Sequence, residues 1–305
     1  MSTSTPTRTH SRITVPSRNP DSPHNLIARW HLLSLDAPTV AALWTWYIAA
    51  ANRIHLPIAS ALAMALAVWT LYAADRLMDA RTLDTQPHLF ADLESRHYFH
   101  HRYRTLFLAG ILLASIALAL LLPHLETSAI HLYLILGSFV FGYFVLIHTT
   151  RSAAAQHIAH RLPKEIAVGL CFAAATFIPT VARRPDIRAA LLPSALLFAT
   201  LCSLNCLYIY AWEHEDHSSN VHTHAITTVA LRHLEPLTFL LVLASTALSI
   251  FDHNASWPIA CAIAIAAILL LILHRNRRSL APITLRAAAD LALTTPLLLL
   301  PFLVR

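Results

Sequence analysis

The sequence predicts an all-α fold, a polytopic membrane protein built as a nine-transmembrane-helix bundle, from three observations. Of its 305 residues, 56% are apolar and only 12% are charged, about half the charged share of ordinary soluble domains, roughly 25%. The apolar residues come in repeated long runs rather than as one anchor, and several runs approach the roughly 20 residues that cross a bilayer as a helix. A helix satisfies every backbone N–H and C=O within its own segment, so it is the economical way through hydrocarbon.

Residues 1–28 are rich in Ser, Thr, Pro and Arg and show no apolar periodicity. They lack the apolar stretch of a secretory signal and read as a disordered cytoplasmic tail. Residues 29–305 form the helical domain, with nine candidate spans near 36–51, 56–74, 105–122, 129–148, 163–182, 189–211, 236–251, 257–274 and 283–304. The seventh begins in a crowd of polar residues, Arg232, His233 and Glu235, followed by Pro236. Gly is scarce (Gly110, Gly137, Gly142, Gly169), so close helix approach falls to Ala and Ser. The four cysteines, Cys171, Cys202, Cys206 and Cys261, all lie in apolar runs and read as small apolar residues.

Basic residues set the orientation. With the N-terminus inside, 17 of the 22 Lys and Arg residues fall in the tail and inside loops and five on the outside. The expected location is a bacterial plasma membrane, with N-terminus and site on the cytoplasmic face. No nucleic-acid partner is expected.

Chemistry gathers at two inside helix ends. Asp75 and Asp79 follow the second apolar run four residues apart, which on a helix puts them on one face about 5–6 Å apart at Cβ. Glu213, Glu215 and Asp216 follow the sixth run. Ionised carboxylates this close repel, more so where little water screens them. A divalent cation relieves the repulsion, and Mg²⁺ favours a few carboxylates together with substrate phosphates. The two clusters are therefore expected to face each other and hold a diphosphate through Mg²⁺. Asn205 and Tyr208 stand inside an apolar span, where polar groups are costly and tend to serve function. Lys164, the only lysine, sits at an inside helix end, where it either snorkels or meets a phosphate. Residues 93–104 are basic with interleaved aromatics. They read as an interfacial helix, or as a lid with Arg96, Arg102 or Arg104 on phosphate oxygens.

Ala74-Asp75-Arg76-Leu77-Met78-Asp79 resembles the first acidic signature of the UbiA-type membrane prenyltransferases. Asn205-x-x-Tyr208 followed by Glu213, Glu215 and Asp216 is similar to their second, with one extra residue before the acids. Leu162-Pro163-Lys164, then Gly169, Phe172 and Ile178-Pro179, is a third likeness, and the resemblance covers about residues 30–305. Leu71 stands where the family has Asn, and Tyr72 where it often has Asp. The resemblance implies Mg²⁺-dependent transfer of a polyprenyl group from its diphosphate to a hydrophobic acceptor within the bilayer. It implies metal ligation by Asp75, Asp79, Glu213, Glu215 and Asp216, with catalysis resting on Asp75, Asp79, Glu215 and Asp216. It implies substrate contacts from Arg76, Asn205, Tyr208 and Lys164.

Two other readings stand beside this one. The chain has 20 histidines. His97-x-x-His100-His101, His157-x-x-His160 and His214-x-x-His217 have the flavour of a di-iron membrane desaturase or hydroxylase, since imidazole suits iron. Such an enzyme needs several boxes of this kind, and nine spans exceed that architecture. The third reading is a non-catalytic membrane protein, such as a transporter or an inactive paralogue.

Overall fold

The computed structural model describes residues 26–85, 95–149, 163–214, 225–252 and 257–303, and within them the side chains of all but 79–85, 95–98, 144 and 146–149. Among the described residues there are thirteen α-helices and no strand. In order they are α1 (Leu26–Leu32), α2 (Asp36–Ala51), α3 (Ile58–Thr85), α4 (Ser95–Arg102), α5 (Arg104–Leu121), α6 (Thr127–Thr149) and α7 (Lys164–Arg183), then α8 (Arg188–His214), α9 (Ala225–Arg232), α10 (Leu234–Phe251), α11 (Trp257–Arg275), α12 (Pro282–Ala292) and α13 (Pro296–Leu303). Of the predicted tail, residues 1–28, residues 1–25 lie outside the described residues, and 26–28 open α1 rather than being disordered.

Seven stretches are long and apolar enough to cross a membrane, against the nine expected. Of the two that fall short, α2 has 16 residues because Asp36 opens it and Asn52 and Arg53 close it. The other, α6, is apolar over Thr127–Tyr143. The ninth predicted span, 283–304, is two helices with a turn at 293–295 between them. Pro296 explains the break: it has no N–H to continue the ladder, its ring collides with the carbonyl four residues back, and it is well placed to start a new helix. The interrupted backbone finds partners inside the bundle. The indole Nε1 of Trp44 donates to Leu293 O at 2.7 Å, and Thr295 Oγ1 donates to Ala262 O at 2.8 Å.

Helices α2, α7, α8, α10, α11, α12 and α13 supply one core. Trp44 is its hub, fully buried, with its ring 4.2 Å from that of Phe198. Tyr47 is also fully buried and donates to Pro258 O at 2.8 Å, so both large aromatics bury an apolar body and satisfy the polar tip. Outward faces of α5, α6 and α10 expose Leu112, Leu113, Leu134, Phe139, Phe239 and Leu240. Apolar surface of that extent suits lipid rather than water.

Two helices are longer than a bilayer needs. α3 has 28 residues and α8 has 27, or about 40 Å each at 1.5 Å per residue, against a hydrocarbon core of roughly 30 Å. The surplus of α3 carries Asp75 and Asp79, and the surplus of α8 carries Glu213.

Helices α7 and α8 approach closely at Gly169. A Cβ added at Gly169 would lie 2.6 Å from Ser203 N and 2.8 Å from Ser203 Cα. Backbone cannot swing aside as a side chain does, so the two helices would have to separate. Gly169→Ala should therefore destabilise the detergent-solubilised protein by about 1–3 kcal/mol. Gly137→Ala, where nothing lies within 4 Å, should leave the unfolding temperature unchanged; equal effects would place the α7–α8 contact elsewhere.

Candidate functional site

The site is built from a turn. After α1 the chain reverses through Leu33 and Ser34, and Ser34 has φ 58°. A non-glycine residue in the left-handed region costs roughly 1–2 kcal/mol, so its surroundings must hold it there. They do: Ser34 is fully buried, Arg76 Nη1 donates to its Oγ at 3.1 Å, and His100 Nε2 lies 3.2 Å from the same oxygen. The reversal sets Asp36, at the first position of α2, against His31 of α1, with Asp36 Oδ2 2.5 Å from His31 Nδ1.

Asp36 is fully buried, and its other oxygen accepts from Ala37 N at 3.0 Å. Arg76 reaches in from α3. Its Nη2 lies 3.6 Å from Asp36 Oδ2, and its Nη1 donates to His31 O at 2.8 Å. The Tyr72 ring, one turn earlier, packs 5.1 Å from the guanidinium carbon. Burial pushes the pKa of His31 below its usual range, against the pull of Asp36.

A second set of contacts joins α8 to α12. Asn205 Nδ2 donates to Asp290 Oδ1 at 2.9 Å, and Arg286 forms an ion pair with Glu213. Arg286 and Asp290 are one helical turn apart and both buried. The two sets meet, because a ring nitrogen of His31 and carboxylate oxygens of Asp36 and Asp290 lie within 4.8 Å of one another. Among the described residues these three form the one group of His, Cys, Asp and Glu side chains placed to share an ion.

Of the residues singled out from the sequence, Arg76, Asn205 and Glu213 all touch this cluster. Arg76 is turned inward and bonded to Asp36, Ser34 and His31, so a phosphate contact would compete with these bonds. Asp75, its neighbour, is half-buried. Tyr208 faces elsewhere: it is fully buried, and its hydroxyl bonds Thr238 Oγ1 of α10 at 2.7 Å. Lys164 is exposed at the start of α7. The side chain of Asp79, and Glu215 and Asp216 altogether, lie outside the described residues. So do the side chains of Arg96 and His97 and all of His157, His160 and His217. Arg102 and Arg104 are exposed, whereas His100 is fully buried with its ring 4.4 Å from that of Phe107.

Sequence reading missed His31, Asp36, Arg286 and Asp290. The last two carried a readable signal, since ionisable residues inside an apolar span are costly and rarely idle. Asp36 read only as the edge of a span, because its partner Arg76 is 40 residues away along the chain. No known family, curated protein or solved structure matches this chain.

Removing one partner of a buried charge pair costs about 3–5 kcal/mol, because the other is left uncompensated. Arg76→Met should therefore strongly destabilise the solubilised protein. The double variant Asp36→Asn/Arg76→Met should be more stable than Arg76→Met alone. If the double variant loses the sum of the two single losses, the Asp36–Arg76 contact is not a coupled pair.

Proposed function

We propose that the chain is an integral membrane protein whose nine predicted spans cross the bilayer. We read its activity as UbiA-type transfer of a polyprenyl group from its diphosphate to a hydrophobic acceptor. The observation that carries this reading is convergence. The surplus ends of α3 and α8, which bear the two acidic motifs, are drawn to one polar interior through Arg76 on Asp36 and Asn205 on Asp290. The acids beside those anchors, Asp75 and Glu213, thereby belong to the same end of the bundle.

The donor set fits Mg²⁺, since it is all carboxylate oxygen. Asp75, Asp79, Glu213, Glu215 and Asp216 would hold the ion, and bound Mg²⁺ supplies positive charge to the departing diphosphate. In the described arrangement Glu213 is neutralised by Arg286, so Asp75 is the described acid whose charge is available to a cation. Lys164 offers an exposed ammonium for the head group, and the lipid-facing apolar helices suit the prenyl tail.

A second reading has its own support. Arg76, Asn205 and Glu213, three residues expected to meet substrate or metal, already have partners inside the protein. That engagement favours a non-catalytic relative that has kept the framework of the site.

Ligand-dependent stability separates the two. With Mg²⁺, a long-chain prenyl diphosphate at a hundredfold excess over its Kd should stabilise the protein by about 2.7 kcal/mol through mass action on the folded state. EDTA should remove that gain, and so should Asp75→Asn. A prenyl alcohol should give a small shift that ignores Mg²⁺. Equal shifts from alcohol and diphosphate, with or without metal, would leave the non-catalytic reading.

The positive-inside count also makes a topological prediction. Reporter fusions after Asp79 and after Asp216 should both read as cytoplasmic; opposite readings would mean that the two acidic motifs cannot share a site.

A further inference from the structure

The His31–Asp36–Asp290 group brings two buried carboxylates together for a reason that diphosphate chemistry does not explain. His31, Asp36 and Asp290 are 3%, 0% and 7% exposed. Two carboxylates share that space with the Arg76 guanidinium, and Arg286 meets Glu213 beside them. A ring nitrogen of His31 and an oxygen of each carboxylate lie within 4.8 Å of one another. In surroundings that exclude water, carboxylates this close favour uptake of a proton or a cation.

Hydrogen bonding distinguishes the two. Asp36 is well supplied, with Ala37 N on one oxygen and His31 and Arg76 on the other. Asp290 accepts from Asn205 Nδ2 and lies against the Asp36 carboxylate. Two further atoms at the cluster are buried without a partner: Asn205 Oδ1, on the amide that already touches Asp290, and His31 Nε2. Asn205 is 6% exposed. A proton on Asp290 would relieve the repulsion, but it can be donated to only one acceptor and would leave the others as they are. A metal ion takes an imidazole nitrogen, two carboxylate oxygens and an amide oxygen together.

The geometry points to a binding site for a divalent transition-metal ion formed by His31, Asp36, Asp290 and Asn205. One nitrogen with three oxygens suits Mn²⁺, Fe²⁺ or Zn²⁺, whereas Mg²⁺ prefers an all-oxygen shell that keeps several waters. Arg76 then serves as an outer partner that orients Asp36, as carboxylates bound to metals usually require. The ion ties together α1, α2, α8 and α12 at this end of the bundle. This site is separate from the carboxylates assigned to Mg²⁺ and does not depend on prenyl transfer.

The test uses the full-length protein in detergent, stripped with EDTA and then supplied with Mn²⁺, Zn²⁺ or Mg²⁺. After gel filtration, elemental analysis should find roughly one Mn²⁺ or Zn²⁺ per chain, because the donors are already assembled in the fold. Either ion should raise the unfolding temperature, and Mg²⁺ should not. Asp290→Asn should weaken Mn²⁺ binding by more than about tenfold, since it removes a charged ligand. If that variant does not fold, His31→Gln, which removes the nitrogen and keeps a polar side chain, should show the same loss. Asp75→Asn should keep the Mn²⁺ site while losing the Mg²⁺-dependent response to prenyl diphosphate, so the two assignments fail separately. Absence of bound Mn²⁺ and Zn²⁺ in wild type, with no thermal shift from either, overturns the proposal and leaves a shared proton between Asp36 and Asp290. Binding that survives in both Asp290→Asn and His31→Gln would also overturn it.

Discussion

A buried carboxylate has to be compensated, and at this end of the bundle Asp36 is compensated by Arg76. Each is at most a few per cent exposed, so neither is screened by water, and loss of one would leave the other stranded in low dielectric. Much of the local geometry is arranged around that pairing. The left-handed Ser34 is held because its oxygen receives the same guanidinium. The α1–α2 reversal is held because His31 contributes both its ring, to Asp36, and its carbonyl, to Arg76. α4 is drawn in because His100 completes the shell of Ser34 and packs on Phe107.

The pairing also gives one sequence motif two roles. Ala74-Asp75-Arg76 lies where α3 leaves the apolar part of the bundle. Adjacent residues on a helix point about 100° apart, so Arg76 enters the core while Asp75 stays half-buried at its edge. A motif that looked like a single ligand patch is thus an anchor beside an available acid. Asn205 and Glu213 show the same pattern on α8, because both are bonded to α12, the helix whose charged residues sequence reading had passed over. Tyr208, three residues from Asn205, faces α10 and belongs to the packing of that pair of helices.

The broken last span follows from the same economy of polar groups. Pro296 ends α12, and an unpaired carbonyl inside the bundle would be costly, so Trp44 supplies its indole N–H to Leu293 O. That bond locks α2 to the helix that carries Asp290. It thereby holds Asp36 and Asp290, 254 residues apart in the chain, in one cluster. Core packing and polar chemistry are here consequences of one placement of α2.

Composition and periodicity alone determined the helical class seen among the described residues and where the long apolar helices run. Burying apolar surface and satisfying backbone within each segment are local requirements, so eight of the nine predicted stretches each fall on one helix among the described residues and the ninth falls on two. They also marked the two acidic motifs, because carboxylates at the ends of apolar runs stand out locally. Only the tertiary structure decided which charges meet. Arg76 finds Asp36, and Asn205 finds Asp290, across 40 and 85 residues of sequence. The physical reason is that charge compensation is pairwise and three-dimensional, while apolar periodicity is written along the chain one turn at a time.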